Sequence, residues 1–357
     1  MRSMTRIGIA AALLGGCILP AATVRAEDWK TEHDAGWNAY KAGRLDEAET
    51  QLKAAETEAR SFGEADPRLA TTLDHLAWVF SAEGKNAEAK AFAKAALAIR
   101  KKIHGDAHAE VADSLNTLAG VLDAEGSVAE AEPIYAQYLA VAEKLDGPEH
   151  PNVAAALDNL AAVDHVLGER DKAEALYKRA LAIREKTAGA ESIDLAATLH
   201  NLGVLYFDEK KFEESEPILN RALAIRKKAL KPDHPDVAAS LEALGWLHAA
   251  EGKADAESLL KQALALYEAD LGKDHPHAAR CCSELSRVCK NLDEAQAHSK
   301  RAVDIFEHAG DPGQLATALD DYAAVLRKIG HDEDAEKIEA RAETLRESAK
   351  RPATPKN

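Results

Sequence analysis

A step of 42 residues governs this chain. Gly84, Gly126 and Gly168 are spaced by 42, Lys210 takes the next slot, and Gly252 follows after another 42. The segments AALAIR (95–100), RALAIR (179–184) and RALAIR (221–226) sit in the same frame. A period of this size signals a stack of supersecondary units, each too small to bury its own apolar face. Length then sets the extent of a surface, not the number of cores, although 357 residues would otherwise suggest two or three domains. The expected class is all-α.

One unit shows why. Pro151 opens a first helix, where its missing N–H costs nothing. Val153, Leu157, Leu160 and Ala161 recur at helical spacing, and Gly168 ends the run as glycine does at a left-handed turn. A second helix follows from Asp171, with Ala173, Leu176, Ala180, Leu181 and Ile183 on one face. A landmark alanine early in the second helix recurs as Ala48, Ala89, Ala131, Ala173, Ser215, Ala256, Ala295 and Ala335. Seven residues later stand Ala55, Ala96, Tyr138, Ala180, Ala222, Ala263, Ala302 and Ala342. Small residues seven apart share a face against which a neighbouring helix packs closely. The frame predicts eight helix pairs, hence sixteen helices, from about Asp28 to Ser348.

The ends read differently. Arg2 and Arg6 precede an apolar run from Ile7 to Leu19, and Val24-Arg25-Ala26 offers a cleavage site. Residues 1–26 therefore read as a signal peptide, cleaved after Ala26 and directing the protein to the periplasm or outside the cell. The alternative is a lipobox, Leu14-Gly15-Gly16-Cys17, which would make a lipoprotein anchored through Cys17. Residues 27–350 form the expected solenoid, and 351–357 a disordered tail.

The net charge is −16. Cleavage would remove three arginines and no acid, leaving the rest more acidic still. That excludes a general nucleic-acid binder, which needs clustered Lys and Arg, and argues against direct lipid binding unless Cys17 is lipidated. Cys281, Cys282 and Cys289 fall in one predicted helix. Cys282 and Cys289 lie two turns apart, beyond disulfide reach, so free, core-filling thiols are expected.

The whole pattern resembles the tetratricopeptide repeat in its longer, kinesin light chain-like form. The carrying segments are Asp233-His234-Pro235-Asp236-Val237-Ala238 and Pro148-Glu149-His150-Pro151-Asn152-Val153-Ala154, each leading through a leucine-rich helix to an alanine-marked second helix. Departures are Lys210 for glycine, Ser192-Ile193-Asp194 without His-Pro, Tyr138 for alanine, and short units around Cys282 and Asp311. The resemblance implies a right-handed superhelix of about eight repeats, whose first helices line a concave, peptide-binding groove.

It further implies which positions face that groove: Asp74-His75, Asn116-Thr117, Asp158-Asn159, His200-Asn201, Glu242-Ala243, Ser283-Glu284 and Asp320-Asp321. In such repeats asparagines here hold the backbone of a bound peptide, a role carried over to Asn116, Asn159 and Asn201. A carboxamide both donates and accepts, as a peptide bond requires. Asp74, His75, Asp158, His200 and Glu242 complete the expected binding row, with Val204, Phe207 and Trp246 as apolar pockets. The acids predict a partner rich in Lys or Arg. Neither a phosphate-binding loop nor a four-ligand zinc set occurs. Most of the turn histidines His104, His108, His150, His234, His275 and His277 recur once per unit, and they read as turn or helix-start residues. No catalytic residue, metal or cofactor is assigned. The reading is a non-enzymatic scaffold for a protein or peptide. Its alternative is an outer-membrane lipoprotein that serves as an assembly factor through its convex face, and a minor alternative is an enzyme of unknown class.

Overall fold

The computed structural model describes residues 21–350, with side chains from 27 to 348. The apolar leader, Cys17 and the tail from 351 lie outside the described residues. The described residues form sixteen α-helices and no strand. They divide into two compact units, one up to Leu145 and one from Asp146. The first holds α1 (Ala21–Lys41), α2 (Leu45–Ser61), α3 (Pro67–Ala82), α4 (Asn86–His104) and α5 (Ala109–Ala124), with α6 (Val128–Asp146) closing it. The second runs α7 (Pro151–Val166), α8 (Arg170–Thr187), α9 (Ile193–Asp208), α10 (Phe212–Ala229), α11 (Pro235–Ala250), α12 (Ala256–Leu271), α13 (Pro276–Val288), α14 (Leu292–Ala309), α15 (Pro312–Lys328) and α16 (Asp332–Lys350).

Consecutive helices pack as pairs, among them α3 on α4, α7 on α8, α9 on α10 and α11 on α12. Within the second unit α7 also touches α9, α9 touches α11, α11 touches α13 and α13 touches α15. No comparable contact joins its successive second helices. Its first helices therefore crowd together on the inner side, and their side chains converge.

The landmark small residues are what let the pairs close. Ala48, Ala89, Ala131, Ala173, Ser215, Ala256, Ala295 and Ala335 are all buried, as are their partners seven residues on, except the half-buried Tyr138. Ser215 Oγ donates to the Gly203 carbonyl at 2.7 Å, across α9 and α10. A Cβ on Gly203 would stand 2.7 Å from Leu219 Cγ, and one on Gly245 the same distance from Leu260 Cγ, so the helix backbones meet side chains directly there.

Four of the six turn histidines cap helices, whereas His104 ends α4 and His277 lies in the first turn of α13. His108, His150, His234 and His275 each accept, through Nδ1, the backbone N–H two residues on, at 3.1–3.3 Å. This satisfies one of the orphan donors of each first turn. Cys281, Cys282 and Cys289 are free and buried. Cys289 is the residue that follows α13 rather than part of it, because α13 ends at Val288.

Candidate binding recess on the inner helices

The inner helices carry buried ionic layers, each assembled from three consecutive helices. In the first unit Asp74 on α3 pairs with Arg100 on α4 at 2.7 Å, and Ser114 on α5 donates to Asp74 at 2.9 Å. In the second, Asp158 on α7 pairs with Arg184 on α8 at 2.6 Å, while Thr198 on α9 donates to Asp158 at 3.0 Å. Burial pushes the Asp158 carboxyl up to about 6 against the pull of Arg184, and Asp74 likewise to about 6.

These contacts correct the expected acidic row. Asp74 and Asp158 are buried and matched, and so is Glu242, only 1% exposed, which accepts from Tyr267 Oη at 3.0 Å and from Arg280 Nη2 at 2.9 Å. Asp321 on α15 accepts from Arg287 Nε at 2.7 Å. Asp320 pairs with Arg346. None of these carboxylates stands bare for a cationic segment. The sequence places acids on the inner face, but the arginines opposite them come from other helices and from offsets of 26 and 38 residues.

The next layer of the second unit breaks the rule. Forty-two residues after Asp158 stands His200 on α9, while Arg226 on α10 and Ser240 on α11 keep the slots of Arg184 and Thr198. Arg226 Nη1 donates to the Asp236 carbonyl at 3.0 Å and to Ser240 Oγ at 2.8 Å, as Arg100 Nη1 does to Glu110 O and Ser114 Oγ. Among the described residues it makes no ion pair, although it is only 6% exposed. His200 does not replace the missing carboxylate. Burial, then the neighbouring Arg226 and Arg280 charges, holds it at about 3, so it is neutral at ordinary pH. Burial lowers Arg226 itself.

His200 and Arg226 open on a recess of about 510 Å³ that Glu242, Trp246, His277 and Arg280 also line. Arg226 Nε, His200 Nδ1, His277 Nδ1 and Trp246 Nε1 are buried there without a protein partner. Two of these are obligatory donors and two are imidazole nitrogens. Asp236 sits at the margin with its side chain half exposed and beyond ion-pair distance from Arg226. A second recess of about 500 Å³ adjoins through Trp246 and is lined by Phe207, Ala249, Ala250, Glu284, Arg287 and Val288. Arg280 stacks over the Trp246 ring at 5.6 Å.

The expected binding positions are thus dispersed in role. His200, Glu242 and Trp246 meet in one recess, with Phe207 beside it. Asn201 lies half-buried on α9, Asn159 half-buried on α7, and Asn116 half-buried on α5 of the first unit. His75 is not a free surface group: it stacks on Trp37 at 3.9 Å and on His33 at 4.7 Å, and burial lowers it to about 3. Val204 packs against the core. Sequence reasoning missed Arg226, Arg280, Tyr267 and His277. The available signal was the set of Asp, Arg and Ser or Thr at offsets of 26 and 40 in two alternate units, with His200 standing in a third unit that keeps the Arg and Ser but not the acid.

Two clusters could in principle hold an ion: His104, His108 and Glu110, and Cys289, Glu294 and His298. In the first, His108 Nδ1 already caps α5 and its ring stacks face to face on His104 at 3.9 Å. In the second, Glu294 is paired with Lys261 at 3.0 Å.

The family model described as tetratricopeptide repeat matches residues 32–102, 110–186 and 194–269, more than half of the chain. The chain belongs to the tetratricopeptide repeat family. Its repeats are kinesin light chain-like: a crystal structure of a putative kinesin light chain with nearly identical TPR-like repeats, from Podosopora anserina, is 28% identical. That match covers 57% of this chain and 97% of the other, with a TM-score of 0.50. The apo form of the quorum sensor NprR from B. thuringiensis shares the fold at 11% identity, over 92% of this chain and 89% of that one, with a TM-score of 0.71. A Rap protein complexed with competence and sporulation factor does so at 19% identity, over 90% and 75%, with a TM-score of 0.51. No curated protein matches the chain. Tetratricopeptide proteins are typically non-catalytic interaction scaffolds.

Proposed function

We propose that this protein is a non-catalytic scaffold that holds a peptide or protein segment against the inner helices of its second unit. The carrying observation is the pair of recesses that meet at Trp246, each lined by apolar and charged side chains together, on α9, α11 and α13. An extended segment laid across Trp246 would place one side chain in each. Exposed side chains on a rigid helical scaffold suit such a task. A fold neighbour is described as complexed with competence and sporulation factor, which supports the same reading. Asn159 and Asn201 remain candidates for holding the segment's backbone.

Photo-crosslinking tests the face used. A benzophenone amino acid replaces Phe207 on the inner side, or Lys178 on the second helix α8. Crosslinked partner is expected from Phe207 alone. Capture only from Lys178 would favour the outer-face reading of an assembly factor. We further propose export by cleavage after Ala26. Mass spectrometry of the mature N-terminus separates a free Glu27 from a lipidated Cys17.

A further inference from the structure

We propose that Cys289, Glu294 and His298 form a site for a divalent transition metal of the zinc class, with Lys261 as a built-in competitor for the same place. The donors come from the turn after α13 and from α14, and not from the inner helices that carry the recesses.

The turn between α13 and α14 departs from the repeat. Every other helix pair among the described residues turns through a glycine, or Lys210, with positive φ. Here α13 stops after 13 residues, against 16 in α11, and Cys289 follows with an extended backbone at ψ 128°. Asn291 then caps α14, its Oδ1 accepting the Asp293 N–H at 3.0 Å and the Glu294 N–H at 3.5 Å. Only Lys290 separates this cap from Cys289, so the thiol is held against the first turn of α14. Glu294 and His298 stand one helical turn apart on the same face. As a result Cys289 Sγ, a Glu294 oxygen and a His298 ring nitrogen lie within 4.8 Å of one another.

Thiolate, imidazole and carboxylate are the ligand types that zinc accepts, and three of them with a fourth position for water make an open tetrahedral set. Cys289 is free and only 8% exposed, His298 is half-buried, and the exposed Glu294 gives an ion its way in. His298 forms no hydrogen bond among the described residues, unlike His108, whose Nδ1 already caps α5. Glu257 on α12 adds a second carboxylate beside the thiol. Two carboxylates at one place call for a cation, and the protein supplies its own: Lys261 Nζ bridges Glu257 at 2.8 Å and Glu294 at 3.0 Å. The Lys261 side chain is 45% exposed, so it can swing out to solvent. Without a metal, burial and then the Glu257 charge keep the thiol protonated. Metal binding releases that one proton to solvent as the metal–sulfur bond forms, with no change of oxidation state.

The test titrates the reduced full chain with Co(II), which enters zinc sites and reports its ligands in its absorption spectrum. Tetrahedral d–d bands and a thiolate-to-cobalt charge-transfer band are expected. Added Zn(II) should erase both and raise the melting temperature. The cluster of His104, His108 and Glu110 carries no sulfur, so it cannot give the charge-transfer band. Cys289→Ser should abolish that band while circular dichroism stays helical, which separates Cys289 from Cys281 and Cys282. His298→Gln should weaken Co(II) binding roughly tenfold or more. Lys261→Gln should act in the opposite sense and tighten binding several-fold, because the competing ammonium is gone. A damaged fold cannot produce that gain. No charge-transfer band in the wild type, a band that survives Cys289→Ser, unchanged affinity in His298→Gln, or affinity not raised by Lys261→Gln would overturn the proposal.

Discussion

The helix pair α7–α8 and its successor α9–α10 share length, landmark residues and packing, yet they differ at three points. The first opens with His150-Pro151, turns at Gly168 and carries Asp158 on its inner face. The second opens with Ser192-Ile193, turns at Lys210 and carries His200. Each difference leaves the fold intact. Ser192 Oγ accepts the Leu195 N–H at 3.1 Å where His150 accepts that of Asn152. What changes is how the local charges are satisfied. Asp158 closes its layer from within, whereas His200 leaves Arg226 with no ion pair among the described residues, the Asp236 carboxylate acting on it only at longer range. In a repeat protein such a break in one column marks where a unit has stopped serving only its neighbours.

The largest expected effect comes from opening the closed layer. Asp158→Ala should strip Arg184 of its partner and cost about 3–5 kcal/mol. His200→Ala removes no ion pair, so it should cost less, in the range of about 2–3 kcal/mol for a lost buried ring contact and its void. Hydrogen exchange of the α7–α10 amides under native conditions measures both. Equal losses would show that the two layers are energetically alike and remove the basis of the comparison.

Acid should separate the layers next, and with opposite signs. His200 sits at about 3 in the fold against ~6.5 unfolded. Its depressed value means that the stability it contributes is present above pH ~6.5 and is lost as pH falls toward 3. Going from pH 7 to 4.5 should cost the α9–α10 pair about 2–3 kcal/mol from this group. Asp158 is raised to about 6 by burial, against ~3.9 unfolded. A raised value works the other way: its contribution grows as pH falls from about 6 toward 4. His200→Gln should therefore flatten the acid loss of α9–α10, and Asp158→Asn should remove a gain from α7–α8. Matching pH profiles for wild type and His200→Gln would contradict the buried, neutral histidine.

Much of the fold was legible because it rests on local rules repeated at a fixed step. The glycine turns, the small residues seven apart and the prolines at first helical positions each act within one or two turns, and between Pro67 and Gly252 they lie where the 42-residue frame puts them, with Tyr138 and Lys210 as substitutions. The inner face was legible as a set of positions but not as chemistry. Asp74, Asp158 and Glu242 look like free acids in sequence because their partners Arg100, Arg184 and Arg280 belong to other helices. RALAIR reads as a landmark of the repeat, and its terminal arginine shows its purpose only when α7, α8 and α9 are brought together. Tyr267 and Cys281 were harder still, because the unit shortens to 41 residues there and shifts them into the arginine and hydroxyl slots.

The smallest effect concerns the turns of the same two pairs. Gly168 has φ +81° and Lys210 φ +60°, the single non-glycine residue with positive φ among the described residues. The left-handed region brings a Cβ toward the following carbonyl, at a cost of roughly 1–2 kcal/mol for an L-residue. Lys210 keeps the turn's hydrogen bonds, donating its N–H to the Phe207 carbonyl at 2.8 Å, while Lys211 N–H reaches the Tyr206 carbonyl at 2.8 Å. Its turn is therefore formed but strained. Lys210→Gly should relieve part of that strain and raise the stability of α9–α10 by about 0.5–1 kcal/mol, since glycine also gains freedom in the unfolded chain. Gly168→Lys should lower α7–α8 by a similar or slightly larger amount. Hydrogen exchange in the α8 and α10 first turns reads each change locally. If Lys210→Gly proves neutral, the lysine side chain compensates its backbone, and the turn ceases to distinguish the two pairs. Only the exchange of Asp158 for His200 would then set them apart.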